Sequence, residues 1–159
     1  MTGESYQVKP QVTIVARGGD RVRSVEKMLT EAAKPGMLVT CDGNDYTAKK
    51  AAASTKPFGW VGFEHTDLKV RPESYETAYA SGDTVAVLYG ADFDIYAIAT
   101  GSTSADTTYS AGDLLASNDD GTLKAAGSGD AVVARALETI TIAQASTAAT
   151  ARIMVQSLI

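Results

Sequence analysis

The chain has 159 residues, 45% of them apolar and 21% charged, with a formal net charge of −5. That length provides one domain with a real buried core, and the acidic balance argues against a general nucleic-acid binder, because duplex affinity draws on Lys and Arg neutralising phosphates. One cysteine, Cys41, excludes an intramolecular disulfide, and no run reaches the roughly 18 apolar residues of a membrane helix.

Residues 1–11 are polar and contain Pro10, and residues 1–16 are expected to form an extended arm ahead of a β-rich body at 17–159. Val12 to Ala16 is a β-branched run able to add as a strand to an exposed sheet edge. Over residues 21–33, Val22, Val25, Met28 and Leu29 recur at roughly helical spacing, which predicts a weak helix, with a β-ribbon as the competing reading. Pro35-Gly36 ends that element in either case. The positive charge is concentrated here: Lys9, Arg17, Arg21, Arg23, Lys27 and Lys34 stand against Asp20, Glu26 and Glu31. A basic arm on an acidic body suits docking to a partner of opposite polarity.

Strands follow. Residues 37–41 meet a turn at Asp42-Gly43-Asn44, residues 48–55 read as a small-residue linker, and residues 58–63 read as a strand around Trp60. Residues 73–80 alternate Tyr75, Thr77 and Tyr79, the pattern of a half-exposed strand. The turn Ser81-Gly82-Asp83 leads into residues 84–89, a short strand of interior quality, and residues 92–99 form another. Residues 100–109 are nearly all small and polar and read as a loop. A second copy of an earlier pattern begins at residue 111. Residues 34–46 (KPGMLVTCDGNDY) and 111–123 (AGDLLASNDDGTL) share Gly, one residue, two apolar residues, a polar step and an acidic-Gly turn. Residues 131–142 and 152–159 close the chain as strands, with a turn or loop at 144–150 between them. About ten short strands at this spacing predict an all-β barrel or sandwich.

Little chemistry is written into these residues. His65 is the only histidine and lies far from Cys41 in sequence, so neither a zinc site nor Cys-His catalysis has its partners. Asp92 and Asp94 are two apart and fall on one face of a strand, an arrangement for a carboxylate pair or a hard cation. The turns at 42–45 and 118–121 lack the spacing and terminal glutamate of a calcium loop. No catalytic residue, metal or cofactor is expected. A receptor- or glycan-binding role would place Trp60 with Tyr75 or Tyr79 along an open cleft, and a small hydrolase would place Asp92 and Asp94 in a concave pocket.

The run AGDLLASNDDGTLKAAG, followed by AVVARALE and a terminal ATARIMVQSLI, resembles the head decoration or structural cement proteins of tailed bacteriophages. Gly112, Leu114, Leu115, Asp120 to Leu123, Val133, Ala134, Ala136, Leu137, Glu138 and residues 151–155 carry the resemblance, and Arg135 departs from it. It implies a compact β-barrel or β-tulip-like domain with an extended N-terminal arm and at most one short helix. It implies a trimer on the outer surface of a virion head, assembled in the host cytoplasm. There it binds the major capsid protein and stabilises the shell without nucleic acid or membrane. The residues expected to meet partners are Tyr6, Val8, Lys9, Val12, Ile14, Arg17, Arg21, Arg23, Tyr75 and Tyr79.

Overall fold

The computed structural model describes residues 13–53 and 55–159. Tyr6, Val8, Lys9 and Val12 lie outside the described residues. The described strands are β1 (Val15–Arg17), β2 (Arg23–Leu29), β3 (Leu38–Cys41), β4 (Thr47–Lys50), β5 (Gly59–Val61), β6 (Thr84–Tyr89), β7 (Ala91–Thr100), β8 (Thr107–Tyr109), β9 (Leu114–Ser117), β10 (Leu123–Ala125), β11 (Val132–Ala136), β12 (Ile140–Ile142) and β13 (Thr150–Leu158). One 3-10 turn, Gly19–Arg21, is the sole helical element among them. The all-β expectation with at most one short helix is met.

The strands close into two five-stranded barrels. In the first, β2, β4, β3, β5 and β6 pair in a ring, and in the second β7, β10, β9, β11 and β13 do the same. The two rings have one topology. Each closes through a single parallel contact, Met28 and Leu29 on Thr47 and Ala48 in the first and Leu123 on Ala99 in the second, while every other pairing is antiparallel. The repeated sequence pattern occupies equivalent positions, since it supplies the β3–β4 hairpin of one barrel and the β9–β10 hairpin of the other. Even its lead-in turn is repeated. Gly36 N–H donates to the Val61 carbonyl on β5, and Gly112 N–H donates to the Ala136 carbonyl on β11, both at 2.8 Å.

Side-chain alternation explains how the barrels join. On β6, Val85 and Val87 fill the first barrel with Leu29, Val39, Ala48, Val61 and Tyr79. The intervening Ala86 and Leu88, with Leu38 and Trp60, turn outward and pack with Phe93, Ile95, Leu115, Ile153 and Val155 of the second barrel. A strand buried on both faces needs a continuous apolar run rather than a half-polar one, which is why residues 84–89 read as an interior strand. Trp60 crosses the junction, its indole N–H donating to Ser157 Oγ at 3.0 Å.

Several local expectations fail for identifiable reasons. Residues 21–33 form neither a helix nor a free ribbon but the paired strand β2, aligned with β6 from Arg23 to Met28. Its helical spacing arises because Lys27 replaces an apolar residue inside: the lysine is buried, its amine lying 4.5 Å from the centre of the Phe58 ring and donating to the Asp45 carbonyl. The expected linker at 48–55 contains β4, whose polar look reflects a strand with one inward side chain, Ala48. The loop at 100–109 ends in β8, paired with β12, and residues 131–142 divide into β11 and β12. Residues 73–80 form no strand beyond one bridge between Tyr79 and Ala33.

The first described residues are built into the body. Ile14 is buried in the core, Val15 aligns with Ile95 on β7, and the Glu64 carboxylate accepts the N–H groups of Ile14 and Val15 at 3.0 and 2.9 Å. Glu64→Ala should release this strand. Because bonds to a charged acceptor contribute about 1.5–3 kcal/mol, hydrogen exchange at the Ile14 and Val15 amides is expected to accelerate roughly tenfold or more, and unchanged protection would contradict it.

Candidate partner-binding surface

Among the expected contact residues, the structure brings Arg17 and Arg21 together and leaves Arg23 on the exposed start of β2. Gly18, in the left-handed region at φ 74°, turns the chain out of β1 so that both arginines face the start of β7. A shallow depression of about 330 Å³ forms there, lined by Arg17, Gly18, Arg21, Asp92, Asp94 and Gln156. Arg17 Nε pairs with Asp94 Oδ2 at 2.7 Å, Arg21 Nη1 donates to the Asp92 carbonyl at 3.1 Å, and Gln156 Nε2 reaches Asp92 Oδ1 at 3.4 Å. Two cations and two carboxylates cancel, so the depression is polar without a strong field. Both carboxylates line this depression, but Asp94 is held by Arg17 and Asp92 is reached by Gln156, so the pair is engaged in polar contacts within the surface. No group of three His, Cys, Asp or Glu able to hold a metal occurs among the described residues, and His65 is exposed on a turn.

Ile14, Tyr75 and Tyr79, expected as partner contacts, are instead buried. Tyr79 sits in the first barrel with its hydroxyl donating to the Gly62 carbonyl at 2.9 Å. Tyr75 packs edge-on against Phe63, ring centroids 6.4 Å apart. Trp60 is buried as well, so these three rings line no open cleft. Of the two roles open to Tyr75 and Tyr79, interface anchor or core side chain, their burial corresponds to the core. Burial raises the pKa of Tyr75, Tyr79 and Tyr109 above the ordinary phenol value. The native state therefore holds phenolic protons that the unfolded chain releases near pH 10, so their contribution to stability is complete below pH 10 and is lost as pH rises above it. Absorbance titration near 295 nm is expected to show these phenols ionising late, together with a falling urea midpoint. A midpoint independent of pH across that range would contradict the assignment.

Sequence reasoning missed the residue that organises this junction. Arg152, on β13, points its largely buried guanidinium between the barrels. Its Nη1 donates to the Pro35 carbonyl and to the Tyr96 carbonyl at 3.1 Å, its Nη2 to the Tyr75 carbonyl at 2.6 Å, and its Nε to Glu76 Oε1 at 2.9 Å. The same guanidinium lies 4.5 Å from the centre of the Tyr75 ring. Nothing in the final strand's sequence distinguishes such an arginine from a solvated one.

Two matched five-stranded barrels packed through one apolar junction define a double-barrel all-β module. The crystal structure of the head fiber gp8.5 N base of bacteriophage phi29 has a similar fold. The TM-score is 0.56 at 19% sequence identity, over 86% of this chain and 93% of that one. No protein-family model matches the sequence, and no curated protein matches it.

Proposed function

We propose that this chain is a non-catalytic structural module of a phage-type virion, seated on the outer surface of the head as the base of a head-attached fibre. The observation that supports this is the double-barrel fold shared with the phi29 head fiber base over nearly the full length of both chains. Of the roles raised by the sequence, a virion-borne attachment or recognition module fits this likeness better than a cement between major capsid protein subunits. The cement role keeps the support of the C-terminal sequence resemblance. In both, the chain acts as a homo-oligomer, with a trimer the expected state, and its ligand is a capsid protein.

Cryo-electron microscopy of particles carrying this chain, with heat release of packaged DNA measured on particles with and without it, separates the roles. A fibre base is expected as a limited number of projecting copies whose loss leaves the release temperature unchanged. Copies covering the shell lattice, with release at lower temperature in their absence, would establish the cement instead, since binding only the assembled state stabilises it. Absence of the chain from the head would defeat both.

A further inference from the structure

The two barrels have one topology, but one of them carries an extra strand. In the second barrel, β10 covers the edge of β7 only at Ala99, and the rest of that edge is occupied by β1, antiparallel at Asp94 and Ile95. In the first barrel, β4 covers the equivalent edge of β2 only at Met28 and Leu29, and among the described residues no strand takes the place of β1. Arg23, Ser24, Val25 and Glu26 are exposed there.

The direction of the free backbone groups follows from the neighbouring bonds. Met28 and Thr30 N–H donate to the Tyr46 and Ala48 carbonyls on the β4 side. Residues of the same parity, Ser24 and Glu26, therefore turn their N–H and C=O groups toward that edge, while Arg23, Val25 and Lys27 turn theirs toward β6. Exposed large apolar side chains gather beside the open edge: Val25 is 37%, Met28 43% and Tyr46 80% exposed. An unpaired edge flanked by apolar side chains is a template for strand addition.

We propose that this edge of β2 receives, as an antiparallel strand, residues 6–12 of a second copy of the chain. The sequence there, Tyr6-Gln7-Val8-Lys9-Pro10-Gln11-Val12, alternates Tyr6, Val8 and Val12 against Gln7, Lys9 and Gln11. It thus offers one apolar face to Val25 and, on its opposite face, places Lys9 on the side of β2 that carries Glu26. Pro10 is compatible with an outermost strand, where its missing N–H faces solvent. The donor is a second copy because of direction. Traced backward from Arg17 to Val15, β1 moves away from β2 along β7. Residues 6–12 of the same chain would have to reverse at once and retrace β1 and the 3-10 turn to reach Ser24. The proposal deepens the oligomeric part of the function above and does not require the head.

Sedimentation velocity on the purified full chain tests it, alongside two full-length variants. In Glu26→Pro an outward N–H is removed without touching the β6 ladder. In Tyr6→Asp/Val8→Asp the apolar face of the donor is charged. The unaltered protein is expected to be an oligomer, and each variant to raise the dissociation constant at least tenfold with unchanged circular dichroism. Hydrogen exchange at the Ser24 and Glu26 amides provides a readout independent of the proline, with protection in the unaltered oligomer and its loss in the Tyr6/Val8 variant. A monomeric unaltered protein overturns the proposal. So does an oligomer that survives the Tyr6/Val8 change, which would indicate pairing of two β2 edges or another face. An oligomer that survives a folded Glu26→Pro also overturns it. Failure of head attachment would leave these outcomes unaffected, because the protein is measured alone.

Discussion

Replacing Arg152 by Ala is expected to lower the unfolding free energy by about 3–5 kcal/mol, read as a fall in the urea midpoint at unchanged slope. The guanidinium joins the lead-in turn of the first barrel, the Tyr75–Glu76 segment and strand β7 in one set of bonds. Removing it leaves the buried Pro35 and Tyr75 carbonyls short of this donor, and each orphaned acceptor costs about 1–3 kcal/mol before relaxation. Burial pulls the Arg152 pKa down while Glu76 pulls it back up. Arg152→Lys restores the charge but not the planar fork that serves several acceptors at once, so it should recover less than half of the loss. Glu76→Gln should cost under about 1 kcal/mol, because that side chain is 46% exposed. If Arg152→Ala proved as mild as Glu76→Gln, the hydrogen-bonded carbonyls would not be what makes this residue matter.

The repeated pattern supplies its own controls for a second large effect. In the lead-in turns, Gly36 and Gly112 both have positive φ, 85° and 97°, and in the hairpin turns Gly43 and Gly121 do too, 76° and 77°. One member of each pair presses on the other barrel. A Cβ on Gly36 would lie 2.6 Å from the Tyr96 carbonyl oxygen and against the Arg152 guanidinium, and one on Gly121 would lie 2.6 Å from the Leu38 carbonyl oxygen, whereas Gly43 and Gly112 face open space. Gly121 is also bonded across the junction, accepting from Leu38 N–H at 2.8 Å and donating to the Ala51 carbonyl at 3.0 Å. Gly43→Ala and Gly112→Ala should cost about 1–2 kcal/mol, the strain of a left-handed residue. Gly36→Ala and Gly121→Ala add overpacking against backbone, for a total of about 3–5 kcal/mol. Chemical denaturation of the four single variants checks this, and equal costs within each pair would mean that the turns do not dock.

What was readable in the sequence was local. The strands at 84–89 and 92–99 declare themselves by unbroken or alternating apolar residues, and the paired Gly turns mark hairpins that the structure places at equivalent points of two barrels. Strand β2 was masked because Val22, Val25, Met28 and Leu29 mimic a helical face, while Lys27, the side chain that enters the interior, looks like a surface residue. Tyr75 and Tyr79 alternate as a strand would, yet they belong to an irregular segment held by Arg152, Phe63 and the Gly62 carbonyl. These are contacts between residues 12 to 77 positions apart, and spacing along the chain carries no record of them. The candidate surface was legible in part, since the clustering of Arg17, Arg21 and Arg23 was visible. The neutralisation by Asp92 and Asp94 and the uncovered edge of β2 follow only from closure of the barrels.

That closure has an order in time. Every strand of the first barrel lies within residues 23–89, but the second ring stays open until β13, residues 150–158, pairs with β7 and β11. During synthesis the first barrel is thus complete on the ribosome while its outward residues Leu38, Trp60, Ala86 and Leu88 still face water. The growing chain presents an apolar face for the roughly 60 residues that separate β6 from the closing strand, an interval of several seconds at ordinary elongation rates. Holdase binding and aggregation compete with folding during that interval, and a chain released before Thr150 would carry the exposed face permanently. The junction that unites the two barrels in the finished molecule is also the surface on which its biogenesis is most easily diverted.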